Sequence, residues 1–215
     1  MPVYDITASG GVVRFAKIFV RRRLKGFRKD IAVCLKAEGD GKTDDKEERA
    51  FMPGLMATIS LLDLFSGLYA GDVENHNDTH LVRYLRDFAP GRYDEYLLKV
   101  LYVVFRHKLA HLSHPYFVLN TKNDGRLKKN PMRLTWSITS DSRSEPIKLT
   151  PLSRSRLIRR QPTPWKVRID HVVEISIRTL AADAIATTAG YLSALKRDPT
   201  IQDNFRKCMY KLYQT

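Results

Sequence analysis

The sequence predicts a mainly α protein, an up-and-down helical bundle with one small β-hairpin element inserted in it. Three observations carry this. Apolar residues recur at helical spacing through most of the chain, one stretch switches to period two, and 43% apolar content over 215 residues supplies one good-sized core rather than two. We therefore expect a single domain over residues 1 to 215, with the β element inserted at about 115 to 165. Pro and Gly total only 21 and aromatic residues reach 10%, which fits a packed body rather than a disordered chain.

The first helix is expected over residues 13 to 36. Ala16, Val20, Leu24, Phe27, Ile31 and Leu35 form one stripe, and Arg21, Arg22, Arg23, Lys25, Arg28 and Lys29 fill much of the remaining surface. That basic face suits a phosphate or an anionic lipid, although a solvated helix face is the simpler reading. Glu38 to Glu48 follows as a polar linker. Its Gly39-Asp40-Gly41-Lys42-Thr43 run is not a phosphate-binding loop, because Lys36 stands where the first glycine is required and no buried strand precedes it. Pro53 suits the first turn of a second helix, whose stripe of Leu55, Ile59, Leu62, Phe65 and Tyr69 stops near Gly71. Thr79 to Phe88 reads as a third helix ending before Pro90. Tyr93 to about Leu112 reads as a fourth, with Leu97, Leu101, Phe105 and Leu109 on one side and Pro115 disfavouring helix at His114.

The pattern then changes. Tyr116-Phe117-Val118-Leu119 is a β-branched and aromatic run, Met132, Leu134, Trp136 and Ile138 alternate with polar residues, and Ile147 with Leu149 suggests a third strand. From about Val167 the helical period is expected to return through Ile169, Val173, Ile177, Leu180, Ala184 and Tyr191 to Leu195, with a last helix from about Thr200 to Tyr213.

Cys34 and Cys208 are the only cysteines, which argues against a disulfide framework or a zinc cluster and fits a reducing compartment. Arg14, Lys17 and Arg21 to Arg23 break up the N-terminal apolar stretch. We expect no membrane-spanning segment and a cytoplasmic protein. The net charge of +14 points to polyanionic partners, RNA above all. Residues 126 to 168 concentrate it, with twelve cations against Asp141 and Glu145. Within them Arg126, Lys128, Lys129, Arg154, Arg156, Arg159 and Arg160 are the candidate nucleic-acid contacts, and Trp136 and Trp165 are either stacking platforms or hairpin core.

The segment that carries chemistry is Arg106-His107-Lys108-Leu109-Ala110-His111. With His114, its histidines lie four and three residues apart on the line of Val100 and Val104. A zinc site of the His-Glu type fails, because Lys108 replaces the required Glu and no second carboxylate cluster is evident, so no metal or other cofactor is expected. An always-charged guanidinium beside an imidazole that titrates near neutrality is instead the minimum kit for cutting RNA without metal. On an ideal helix residues five apart diverge by roughly 140°, so Arg106 and His111 converge only through the long Arg side chain, fraying before Pro115, or a second protomer.

The run from Leu101 to His111 resembles the signature helix of HEPN-domain proteins, whose motif is Arg, a polar residue, three further residues, then His. Met56 to Asp72 and Leu81 to Tyr96 are similar to the two segments that precede that helix in bacterial HEPN-like proteins, so the resemblance spans about residues 50 to 115. It implies a homodimer in which two signature helices face each other, bringing two Arg106 and two His111 together. It also implies a metal-independent endoribonuclease of toxin or defence type, with His111 as general acid or base, Arg106 as phosphate clamp and His107 as positioning residue. An antitoxin protein would be a further partner, and a membrane would not. The same resemblance admits a non-catalytic RNA- or nucleotide-binding dimerisation module. A purely structural role also stands, with Arg106 paired to Asp63 or Asp94 and the histidines closing a helix end. A protein held at a membrane surface by its basic first helix is a third reading.

Overall fold

The computed structural model describes residues 6–36, 51–75, 77–103, 119–120, 132–152 and 169–213. They divide into two compact units: a helical unit, Met1–Arg92 with Ala181–Thr215, and a sheet unit, Tyr93–Leu180. Six helices and four strands are found among the described residues, a mainly helical architecture with a small β element.

In the helical unit, α1 (Ser9–Lys36), α2 (Phe51–Ala70), α3 (Asp78–Phe88), α6 (Pro199–Tyr213) and the Ala181–Arg197 part of α5 (Ile177–Arg197) enclose one apolar interior. α2 is its axis and packs on α1, α3 and α6. Leu55, Ile59, Leu62 and Phe65 of the expected stripe are buried with Leu68, its last member Tyr69 is half-buried, and Asp63 is the helix's one charged residue. α2 corrects the expectation that no segment reaches membrane-spanning length. By length and composition Met52–Ala70 does, and most of it is buried inside the unit. Each large side chain so buried contributes about 2–3 kcal/mol. Thr58 and Ser66 lie in this interior because their hydroxyls donate to Gly54 O and Asp63 O at 2.8 and 3.0 Å.

α2 stops where Gly71 adopts φ +79°, a left-handed conformation that costs glycine little. The Asp72 amide then reaches back to Gly67 O at 2.9 Å, and the Asn204 side-chain amide of α6 donates to Tyr69 O at 2.8 Å. Asn77 caps α3 by accepting from the Thr79 amide at 3.0 Å. Two aromatic clusters fill the interior. Phe65, Tyr69, Tyr84, Phe88 and Tyr191 join α2, α3 and α5 at ring separations of 5.0 to 6.4 Å. Phe15 and Phe19 of α1 meet Phe205 of α6, each at 6.1 Å.

The sheet unit holds α4 (Glu95–Leu101), β1 (Leu119–Asn120), β2 (Arg133–Thr139), β3 (Ile147–Pro151), β4 (His171–Ser176) and the first residues of α5. The strand order is β1-β2-β4-β3, with β4 parallel to β2 and antiparallel to β3. The small β element expected from the sequence is present, with β2 and β3 at the expected runs. One expectation is corrected: residues 171–176, expected to lie in a helix from about Val167, form a further strand, β4, of a four-stranded sheet. Val172, Val173 and Ile175 are β-branched and buried on both faces, as an inner strand requires. Ser176 makes the change to helix, accepting from the Thr179 amide at 3.3 Å as the N-cap of α5 while its hydroxyl donates to Asp141 O at 2.6 Å. Thr179 Oγ1 in turn accepts from the Arg143 amide at 3.0 Å, which ties the loop after β2 to the start of α5.

Candidate functional site

Asp94 starts α4 by accepting from the Leu97 amide at 2.9 Å, within two residues of the expected start at Tyr93. Leu97, Leu98, Val100 and Leu101 bury one side of the helix, and Tyr102 and Val103, also buried, continue it in a wider π-helical turn. Widened turns of this kind recur next to functional residues. The chain then enters the Arg-x4-His segment. Arg106, His107 and His111 lie outside the described residues. Of the alternative acidic partners of Arg106, Asp94 has its Oδ1 occupied by its own helix cap and Asp63 is buried in α2.

The candidate nucleic-acid contacts Arg126, Lys128, Lys129, Arg154, Arg156, Arg159 and Arg160 also lie outside the described residues. The register of the strands that flank them is nevertheless informative. Residues 121–132 connect β1 to β2, and residues 152–170 connect β3 to β4. Asn120 pairs with Arg133, Leu134 with His171, and His171 with Pro151, so both connections leave from and return to the same end of the sheet. The first holds four cations against Asp124 and the second six against Asp170, a combined excess of eight positive charges. The Asp170 carboxylate accepts from the Arg133 amide at 3.1 Å, and the Asp170 amide donates to Arg133 O at 2.9 Å. Trp136 is half-buried in β2 opposite Val173, and Trp165 lies outside the described residues.

Sequence reasoning passed over one residue at that end of the sheet. His171 opens β4, and its Nδ1 is buried without a hydrogen-bond partner among the described residues. A single histidine between Asp170 and Val172 gives no signal in the sequence; only the pairing register places it between the flanks of the two basic connections.

At the other end of the sheet, Arg143, Ser144, Glu145, Lys148 and Glu174 line a shallow cleft of about 270 Å³. Arg143 and Glu174 form an ion pair there, so two of the four charges lining the cleft offset each other. Among the described residues no group of three or more His, Cys, Asp or Glu is placed to hold a metal ion. Burial pushes the Tyr191 phenol well above its ordinary pKa, and the neighbouring Tyr84 adds to the shift. Tyr191 belongs to the buried aromatic cluster. Compared with known proteins, the chain matches no protein-family model, no curated protein and no solved structure.

Proposed function

We propose that the protein is a cytoplasmic, homodimeric endoribonuclease that cuts RNA without a metal through Arg106 and His111, in the manner of the HEPN proteins its signature segment resembles. The observation that carries it is the context of the motif: a capped helix, apolar along its buried side, that widens at Tyr102 and Val103 and leads directly into Arg-x4-His. In this reaction one His111 takes the proton of a ribose 2′-hydroxyl, the freed oxygen attacks phosphorus, and the 5′-oxygen leaves with a proton from the partner subunit's His111. Arg106 holds the phosphoryl oxygens as charge builds on them, and His107 positions the pair. The products are a cyclic phosphate and a 5′-hydroxyl. An antitoxin protein is a further partner in this reading.

A non-catalytic RNA-binding module is the second reading, favoured by the meeting of the two basic connections' flanks at one end of the sheet. Incubating the purified protein with mixed cellular RNA in EDTA, beside Arg106→Ala and His111→Ala, separates the two. Cleavage by the wild type alone, leaving cyclic phosphate ends, is the expected result. Intact RNA under conditions where the protein binds it would overturn the nuclease and leave the binding module.

A further inference from the structure

α1 carries a second cationic surface, separate in sequence from the basic connections of the sheet unit. Eight of its Lys and Arg residues, from Arg14 to Lys29, are exposed, and Asp30 is the one acid in the helix. Arg14, Lys17, Arg21, Lys25 and Arg28 follow one another at three- and four-residue steps, so their Cβ atoms stand about 5–6 Å apart along one line. Arg22 and Lys29 flank that line, and the seven side chains together span an arc of about 140°. None of the five in the line is ion-paired with another described residue. A face that only needed solvation would gain from i,i+4 acidic partners, as Lys99 gains from Glu95 in α4.

Beside this stripe, where the end of α6 meets α1, lies a groove of about 220 Å³ lined by Phe15, Ile18, Phe19, Arg22, Arg23 and Tyr213. Tyr213 is 62% exposed, and the Arg23 guanidinium stands 5.2 Å from the centre of the Phe19 ring. A row of cations with an exposed aromatic ring and a stacked guanidinium beside it matches a single nucleic-acid strand, whose phosphates need charge and whose bases need flat faces. A membrane surface fits less well. The residues a bilayer would take up, Val12, Ala16, Phe19, Val20, Phe27 and Ile31, are buried in the helical unit.

We propose that the α1 stripe and the groove at Tyr213 form a docking surface for single-stranded RNA, the phosphates running along Arg14 to Arg28 and a base stacking on Tyr213. The proposal rests on the RNA-directed reading above and names a surface distinct from the one that cuts. A fluorescent 2′-O-methyl oligouridylate tests it by anisotropy with the full-length protein. The blocked 2′-oxygen cannot attack phosphorus, so binding is read whether or not the protein is a nuclease. Substituting Arg14→Gln, Arg21→Gln, Lys25→Gln and Arg28→Gln together should weaken binding at least about ten-fold and flatten the dependence of log K on log salt by about 3, at about 0.7 per lost phosphate contact. Tyr213→Ala should weaken binding by about ten-fold and leave that slope unchanged. Far-ultraviolet circular dichroism checks that the variants keep their helix content. Unchanged binding in either variant would overturn the surface, as would a wild type that binds phosphatidylserine vesicles and no RNA. Cleavage of natural RNA is measured separately: loss of cleavage alone overturns the nuclease, and loss of α1-dependent binding alone overturns this surface.

Discussion

Replacing Gly71 by alanine perturbs two things at once, and the structure allows their sum to be worked out. The position has φ +79°, where an L side chain costs about 1–2 kcal/mol. A Cβ built there would lie 2.6 Å from Asn204 Oδ1, too close for either group to stay in place. If Asn204 moves, its 2.8 Å bond to Tyr69 O is lost, which costs about 1 kcal/mol more. Gly71→Ala should therefore destabilise by about 2–3 kcal/mol. Asn204→Ala alone removes only the bond and should cost about 1 kcal/mol. In the double variant the close contacts with Oδ1 and Cγ are gone, leaving only the 3.3 Å approach of the residue 204 Cβ, and the bond is already lost, so the cost should stay at about 2–3 kcal/mol rather than rise to the sum of the two, a coupling of about 1 kcal/mol. Urea unfolding of the four proteins, followed by loss of helical circular dichroism, measures this cycle. A Gly71→Ala cost below about 0.5 kcal/mol, or strictly additive effects, would refute the reasoning.

Ser176→Ala removes the N-cap of α5 and the bond to Asp141 O, and should lower the urea midpoint by the equivalent of about 1–2 kcal/mol, whereas Ser176→Thr retains much of it. Hydrogen bonds from the backbone and side chain of Asn75, and then from the Glu74 amide, hold the Asp72 carboxyl down at about 2. Because its pKa is depressed on folding, its contribution is complete above the ordinary carboxylate value and is lost as pH falls towards 2. Between about pH 4 and 2 the wild type should lose stability relative to Asp72→Asn, and a parallel fall in both would contradict this. Burial pushes the Cys208 thiol up to about 11, while Cys34 is half-exposed. An aromatic disulfide reagent at pH 8 should therefore titrate one thiol in the native protein and two in denaturant.

The helices of the helical unit were legible because each shows one apolar face over several turns. The stripe of α2 and the stop at Gly71 appear in the structure where the sequence placed them. β4 was not legible as a strand. Ile169, Val173 and Ile177 fall at four-residue intervals and satisfy a helical template, and a six-residue run buried on both faces has no period of its own to contradict it. Ser176 was the local signal that the helix starts later, but with Thr179 at the third helical position it lacks the Glu or Gln of a capping box. The insertion of β4 between β2 and β3 is a non-local choice that no window of sequence contains. The α1 cations were visible one by one. That the line from Arg14 to Arg28 has no ion-pair partner among the described residues, and that Tyr213 ends beside Phe15 and Phe19, depends on how α6 folds back on α1. The start of α4 was read to within two residues, and the catalytic candidates beyond it lie outside the described residues.

The position of β4 also bears on how the chain behaves while it is being made. β2 and β3 leave the ribosome before their shared neighbour and do not pair with each other, so Trp136 waits for Val173 and Leu149 waits for the same residue. At about 5–20 residues per second the gap between Trp136 and Val173 corresponds to roughly two to seven seconds. For that interval the nascent chain presents two β-prone segments with open edges, and the basic stretch between β3 and β4 is synthesised during the same interval. Like charges in a growing chain discourage neighbouring nascent chains from adding strands to those edges. The Arg-rich residues 154–160 thus emerge while those edges are still open.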